Sequence, residues 1–277
     1  MAPRQHLSFW IYVARGALLA LAVMVPSVGP VAACVMLSQA GSAVVVAGSF
    51  VKDGGASAWY ADLTQRYGHG VLGDALEPTT LTLSVPRKEA DGTHRCVSTS
   101  LTLQRPHVFE DIAPRLVDLT GDGQAEIVTV RSHERKGAQI AVYQQIFDRL
   151  QILVTTPYIG RRNRWLAPVA IADLDGDGNI EIAYVDRPHL AKTLRIWRYK
   201  AEKLREIATL AGVSNHRIGE DFISGGARNC GQGLEMVVAN AAWTSIFSVS
   251  FDGQELVATS LNRPTDPDSF AKVLSCN

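Results

Sequence analysis

The sequence has little charge, few aromatic residues and no long uninterrupted apolar run. Charged residues make up 19% of the 277 residues and aromatic residues 7%, while 27 basic side chains balance 27 acidic ones. Nucleic-acid-binding proteins usually carry a basic excess, so we expect no nucleic-acid partner. No apolar stretch reaches the roughly 20 clean residues of a transmembrane helix, so we expect no membrane span in the mature chain. The 47% hydrophobic content excludes a disordered protein.

Residues 1–33 have the pattern of an export signal. Arg4 and Arg15 supply positive charge, residues 16–25 are apolar, and Val31-Ala32-Ala33 fits a small-residue cleavage site. An uncleaved signal anchor is an alternative, and Cys34 weakly resembles the acylated cysteine of a lipoprotein. We therefore expect a secreted, periplasmic or cell-envelope protein, lipid-anchored through Cys34 in the last case. In such an oxidising compartment disulfides can form among the four cysteines, whose pairing the sequence leaves open: Cys34, Cys96, Cys230 and Cys276.

Two central segments share one pattern, LVDLTGDGQAEIVTV at 116–130 and AIADLDGDGNIEIAYV at 170–185. Glu126 and Glu181 lie 55 residues apart, and the phase extends to weaker copies at Glu77 and Glu235. In the third unit, runs at 169–172, 181–185, 193–199 and 204–210 have the apolar content or the alternation of strands. Four short strands in each period of about 50 residues predict an all-β fold, a β-propeller of four to five four-stranded blades.

The Asp/Gly-rich loops inside these segments place oxygen-bearing side chains at alternate positions. Calcium binds six to eight oxygens, and a tight loop with this spacing can point its side chains at one ion. We therefore predict a structural calcium ion in each loop. The candidate ligands are Asp173, Asp175, Asp177, Asn179 and Glu181 in one loop, and Asp118, Thr120, Asp122, Gln124 and Glu126 in the other. Thr120 replaces an acid and predicts weaker binding in the second set.

The arrangement resembles the FG-GAP/VCBS repeat family of integrin-like β-propellers, whose loops bind calcium through a D-x-D-x-D-G-x-x-D pattern. Asp173, Asp175, Asp177 and Gly178 match this pattern, whereas Glu181 stands where the family has a final Asp. The resemblance covers roughly residues 60–260 and implies adhesion or binding roles outside the cytoplasm. We predict a signal peptide at 1–33, a propeller at 34–261 and a C-terminal tail at 262–277.

The loops at the opposite ends of the predicted strands from the acidic loops are rich in basic residues. We predict that this face binds an anionic partner, either a protein or an acidic glycan or lipid of the cell envelope or exterior. The candidate residues are Arg131, Arg135, Lys136, Arg161, Arg162 and Arg164.

The sequence lacks the short motifs of common enzyme classes. It contains no G-x-S-x-G, H-E-x-x-H, Walker-type or C-x-x-C pattern. His69 lies in the turn-like Tyr67-Gly-His-Gly70 and is interpreted as a structural residue. We therefore expect a non-enzymatic binding protein, and the alternative is a cell-envelope hydrolase or lyase with its site at the propeller channel.

Overall fold

The computed structural model describes residues 45–277, which form antiparallel β-sheets and one short helix. The predicted export signal, its cleavage site and Cys34 lie outside this range. Among the described residues, no helix is long and apolar enough to cross a membrane.

Sheets 1 and 2 are built from residues 51–155. Sheet 1 pairs its strands in chain order: β1 (Val51–Asp53), β2 (Ala56–Thr64), β3 (Glu77–Lys88) and β4 (His94–Thr102). The first edge of sheet 2 is divided between β5 (His107–Phe109) and β6 (Arg115–Val117), which both pair with β7 (Glu126–His133). The sheet continues through β8 (Gly137–Ile146) and β9 (Arg149–Thr155).

Sheets 3 and 4 repeat this plan. Sheet 3 contains β10 (Leu166–Ala172), β11 (Glu181–Asp186), β12 (Thr193–Lys200) and β13 (Lys203–Ala211). In sheet 4, β14 (Val213–Ser214) and β15 (Gly226–Asn229) both pair with β16 (Leu234–Asn240), followed by β17 (Ile246–Phe251) and β18 (Leu256–Ser260). The helix, α1 (Pro267–Leu274), follows the last strand.

Burial falls from the second strand of a sheet to the fourth. In sheet 3 every residue of β11 is buried, β12 alternates between buried and half-buried positions, and β13 has no fully buried residue. Strands covered on both faces read as continuous apolar runs, whereas strands nearer the outer edge alternate. This gradient explains why the sequence pattern predicted these strands.

Apolar layers between consecutive sheets form the core. One layer between sheets 1 and 2 contains Tyr60 and Phe109, the next contains Ile140 and Trp165, and a third between sheets 3 and 4 contains Ile196. The other face of sheet 4 packs against α1 through Phe270 and Val273. Residues 262–277, predicted as a tail, therefore include a helix that covers the last sheet.

The prediction of an all-β, propeller-like fold is confirmed, with four sheets within residues 45–277. The blade number of a complete ring stays a prediction. The landmark at Glu77 was wrong. Glu126 and Glu181 open the second strand of their sheets and Glu235 lies in that strand, but Glu77 opens the third strand of sheet 1. The 12-residue connection between β2 and β3 displaces the spacing there.

Candidate functional site

Both acidic loops enter the second strand of a sheet and share one backbone conformation. The paired glycines of the loop at 118–126 have φ angles of +77° and +83°, and those of the loop at 173–181 have +78° and +85°. Glycine adopts this left-handed region without steric cost. Asp118 and Asp173 each accept hydrogen bonds from the amides three and five residues later, at 2.8 and 2.9 Å. The two loops are therefore structural repeats of each other.

The acid at the ninth position fastens the entrance of each loop. Glu126 Oε2 accepts hydrogen bonds from the amides of Leu119 and Thr120 at 2.7 and 3.1 Å, and Glu181 Oε2 accepts one from Leu174 at 2.9 Å. Both side chains are buried, and burial raises the pKa of each carboxyl despite these hydrogen bonds. In this geometry the two glutamates support the loop backbone.

Three carboxylates of the loop at 173–181 are arranged as a cation would require. Asp173, Asp175 and Asp177 each offer one oxygen, and these oxygens lie within 4.8 Å of one another. Calcium–oxygen distances of about 2.3–2.6 Å allow two ligands of one ion to lie up to about 5 Å apart. Asn179 donates its amide hydrogens to Asp177 at 2.8 and 2.7 Å, and these bonds lower the pKa of that aspartate. The three aspartates fit a hard cation.

Arg198 reaches the same carboxylates, and the sequence reasoning missed it. It lies on β12 directly opposite Glu181 and donates to Glu181 at 2.5 Å. Its Nη1 lies 3.0 Å from Asp177, and Nη2 contacts Asp175. Burial opposes the charge of Arg198, but Glu181 and Asp175 outweigh it and raise its pKa. The guanidinium thus supplies positive charge where a metal ion would.

The loop at 118–126 has no such built-in cation. Extending the register by one residue beyond the Ile127–Tyr143 pair places Gln144 opposite Glu126, in the position that Arg198 occupies in sheet 3, and both residues line the same cavity. Within residues 45–277, no basic side chain forms an ion pair with Asp118 or Asp122. A cavity of about 310 Å³ adjoins this loop, and Asp53 from the first hairpin of sheet 1 lines it with both aspartates. This loop therefore lacks a neutralising cation, but within residues 45–277 only Asp173, Asp175 and Asp177 bring three acidic oxygens within 4.8 Å of one another.

The corresponding loop of sheet 4 is held by a covalent bond. Cys230 forms a disulfide with Cys276, which follows α1. Nearby, Arg228 pairs with Glu235 at 2.8 Å and donates to the carbonyl of Val273 at 3.0 Å. This loop, at residues 230–233, contains no acidic residue, and a disulfide to the segment after α1 holds it instead.

The predicted basic residues lie at the other ends of the strands. Successive connections of an antiparallel sheet alternate between its two ends, which separates residues 134–136 and 156–165 from the acidic loops. The two segments are joined by backbone hydrogen bonds of 2.8 Å from Ala138 to Arg164 and from Gly160 to Lys136. Gly137 permits this approach, because a Cβ there would lie 2.7 Å from the Arg164 carbonyl oxygen. The basic segments therefore form one surface.

We call the six predicted basic residues the cationic patch: Arg131, Arg135, Lys136, Arg161, Arg162 and Arg164. No carboxylate of the described chain lies within ion-pair distance of any of them, whereas nine other arginines are paired with acids. Those nine are Arg87, Arg95, Arg105, Arg115, Arg187, Arg195, Arg198, Arg217 and Arg228.

Two residues of the cationic patch are held by contacts that do not neutralise their positive charge. Arg162 donates to the carbonyl of Tyr67 at 3.1 Å, and the ammonium of Lys136 lies 5.5 Å from the centre of the Tyr158 ring. Carbonyls and aromatic rings orient a cation without cancelling its charge. Arg162 and Lys136 are therefore positioned without loss of their positive charge.

Polar residues from sheets 1 and 2 meet beside the patch. The imidazole of His69 is hydrogen-bonded through Nδ1 to Glu110, whose side chain is fully buried. The hydroxyl of Ser132 donates to the other carboxylate oxygen of Glu110. The indole N–H of Trp165 donates to the main-chain carbonyl of Glu110 at 2.8 Å. No local sequence pattern indicates the His69–Glu110 pair, because 41 residues separate its members.

A comparison with protein-family models matches residues 118–184 to the FG-GAP-like repeat. The match includes both acidic loops and confirms the predicted resemblance for this stretch. A search of curated proteins found no match.

Two solved structures are reported as similar. One is a protein from Lactobacillus plantarum, with a TM-score of 0.38, 10% identity, and coverage of 66% of this chain and 52% of the other. The second is the exotype rhamnogalacturonan lyase YesX, with a TM-score of 0.40, 15% identity, and coverage of 76% and 39%. The aligned part thus spans about half or less of either neighbour.

Proposed function

We propose that this FG-GAP-repeat protein is an exported, calcium-stabilised binding module for an anionic partner. Export rests on the signal-like pattern of residues 1–33, and the Cys230–Cys276 disulfide suits an oxidising compartment. The intact mass of the purified mature chain tests this proposal: cleavage near residue 33 supports export, and a diacylglycerol adduct on Cys34 indicates a lipid anchor. An unprocessed N-terminus would contradict cleavage.

Calcium is proposed as a structural ion. Asp173, Asp175 and Asp177 would hold it in one loop, and Asp118 and Asp122 would contribute in the other. Each set gathers negative charge in a short turn, and a divalent ion would offset the repulsion between the carboxylates. Because Arg198 already provides a cation at the first set, we expect the loop at 118–126 to respond more strongly to calcium.

The cationic patch carries the proposal of an anionic partner. Six basic groups without carboxylate partners in the described chain lie on one surface, and contacts position Lys136, Arg162 and Arg164 among them, so their charges remain available to a ligand. Clustered positive charge attracts polyanions and accelerates their association. The partner is an acidic glycan, an anionic lipid surface or an acidic protein segment of the cell envelope or exterior.

Retention on a heparin column tests this function. Changing Arg161, Arg162 and Arg164 to Ser should lower the salt concentration at which the protein elutes. The matched control changes three exposed cations of the outer strands, Arg149, Lys203 and Arg205, to Ser, which alters net charge equally. Equal elution of both triple variants would show that net charge alone causes retention and would refute a specific surface.

An enzymatic role is the second candidate, and the His69–Glu110 pair is the observation that favours it. A buried carboxylate that orients a histidine is an arrangement found in general acid–base catalysis. Depolymerisation of acidic polysaccharides, followed as new reducing ends, should then be lost in His69→Gln and retained in Asp173→Asn. Absence of turnover by the unmodified protein across a panel of such polymers would leave the binding role as the explanation.

A further inference from the structure

A cavity of about 240 Å³ opens beside the cationic patch. It forms where the long β2–β3 connection of sheet 1 approaches the connections at 161–165 and 187–190. Cavities for drug-sized ligands usually have about 300–1,000 Å³, so this one fits a single ring or a single side chain.

One wall of the cavity offers an oriented nitrogen. Glu110 holds Nδ1 of His69, which leaves Nε2 as the ring nitrogen available to a ligand. Within residues 45–277, Nε2 has no hydrogen-bond partner, and the His69 side chain is 18% exposed. The Glu110 carboxylate orients the ring and offsets the charge of a doubly protonated imidazole, whose Nε2–H is then the donor for a ligand anion. Because Ser132 holds the second oxygen of Glu110, the pair is rigid.

The cavity contains one uncompensated positive charge. Arg164 donates to the Asn163 carbonyl at 2.9 Å and has no carboxylate partner in the described chain. Arg187 also lines the cavity, but Asp186 neutralises it through two hydrogen bonds of 2.8 Å. His189 bonds to His216 at 2.9 Å, and burial together with His216 lowers the pKa of His189 to about 4. His189 is therefore neutral at pH 7, and the cavity matches a monoanion.

Apolar side chains also line the cavity. Trp165 and Val71 are buried behind it, and Leu190 and Ile218 stand at its rim with 63% and 79% of their surface exposed. A ligand in the cavity would cover this exposed apolar surface. Removing this surface from water favours binding of a ligand with an apolar body.

We propose that this cavity binds a small organic carboxylate with an apolar body. The carboxylate lies at Arg164 and His69 Nε2, and the body lies against Trp165, Leu190 and Ile218. A hydroxyl-rich sugar acid is disfavoured, because its hydroxyl groups would be desolvated against these apolar side chains. The inference rests on the proposed anion-binding function and names the chemistry of one subsite on that surface.

Three ring-sized probes test the proposal: cyclohexanecarboxylate, cyclohexanecarboxamide and glucuronate. The indole resonance of Trp165 in ¹H–¹⁵N spectra, assigned with Trp165→Phe, should shift saturably with the first probe. The carboxamide should bind about tenfold more weakly or worse, because it lacks the charge that strengthens hydrogen bonds to Arg164. Glucuronate should also bind more weakly, which separates the apolar requirement from the charge requirement.

Variants connect binding to the cavity. Arg164→Gln should weaken cyclohexanecarboxylate binding about tenfold, and Leu190→Ser, at an exposed site that folding does not need, should weaken it several-fold. Arg205→Gln serves as the charge control and should bind as the unmodified protein does. Equal affinity for carboxylate and carboxamide, tighter binding of glucuronate, or an unchanged affinity of Leu190→Ser would each overturn the proposal.

The same proteins separate this proposal from the broader function. Leu190→Ser keeps all six patch residues and should elute from heparin as the unmodified protein does. Loss of probe binding in Leu190→Ser with unchanged heparin retention supports a distinct cavity. Heparin retention without any response to cyclohexanecarboxylate in the unmodified protein overturns the cavity and leaves the patch intact. Probe binding with no heparin retention overturns the patch and leaves the cavity intact.

Discussion

Replacing Arg198 with Gln copies into sheet 3 the residue that sheet 2 has at the equivalent position, Gln144. The change leaves Asp175, Asp177 and Glu181 without their guanidinium partner. Removing one member of a buried ion pair costs about 3–5 kcal/mol. Because the Arg198 and Asp177 side chains are 18% and 37% exposed, we expect the lower end, about 3 kcal/mol. In a domain of this size the melting temperature should fall by about 6–12 °C in EDTA.

Calcium should restore much of this loss, because the three aspartate oxygens within 4.8 Å then accept the ion in place of the guanidinium. An ion at 100 times its dissociation constant stabilises the folded state by about 2.7 kcal/mol. The assay is thermal unfolding of the unmodified protein and Arg198→Gln in EDTA and in millimolar calcium. The response of the unmodified protein is subtracted, since the loop at 118–126 contributes to both.

Arg195→Gln is the matched control. Arg195 lies on the same strand and pairs with Asp186 and Glu206, away from the aspartate loop. This variant should lose stability without any additional recovery in calcium. Recovery equal to that of Arg198→Gln would mean that calcium acts elsewhere. An unchanged melting temperature of Arg198→Gln in EDTA would refute the neutralising role of the guanidinium.

Three further predictions follow from the described contacts. Asp122→Asn, in the loop without a built-in cation, should reduce the fall in melting temperature that EDTA causes. The control variant Asp148→Asn should not change that fall. An unchanged EDTA response of Asp122→Asn would argue against calcium at Asp122. Burial, with the charge of Glu110 as a second cause, raises the pKa of Glu77 to about 9, so the stabilising contribution of Glu77 is complete below about pH 4.5 and is lost as the pH rises towards 9. Glu77→Gln should therefore reduce the loss of unfolding free energy between pH 5 and pH 9, measured by urea titration. An identical pH dependence of the variant and the unmodified protein would contradict the raised pKa. Phe270→Ala should lower the free energy of unfolding by about 3–5 kcal/mol, because it removes the aromatic side chain that packs between α1 and sheet 4. Lys272→Ala, at an exposed position of the same helix, should have little effect. Equal free energies of unfolding for the two variants would mean that the helix does not stabilise the sheet.

The strands of sheet 3 could be predicted because the burial of each strand determines which of its positions are apolar. The strand covered on both faces is a run of apolar residues, and the next strand alternates, so the predicted segments 181–185 and 193–199 nearly coincide with β11 and β12. Sheet 1 was harder, since its spacing is altered by a long connection between its second and third strands. Glu77 matched the phase of the repeat by number alone and proved to open a different strand.

The functional residues divide in the same way. The aspartates of each loop are close in the sequence, so their spacing alone predicts that they meet. Arg198 reaches the loop through strand register, 17 residues after Glu181. His69, in a connection of sheet 1, contacts Glu110, in a connection of sheet 2. Neither contact has a local pattern that single-sequence reasoning could detect.

The repeated strands, the acidic loops and the basic character of the opposite connections could be predicted from the amino-acid sequence, because each depends on residues near one another in the chain. Which of the charges are compensated depends on tertiary contacts. Packing and register place Arg198 on one aspartate loop, leave the other beside Gln144, and assemble the cationic patch and its adjoining cavity from separate connections. Electrostatic energy depends on distance and burial in three dimensions, so a chain with zero formal net charge can still carry sites of uncompensated charge.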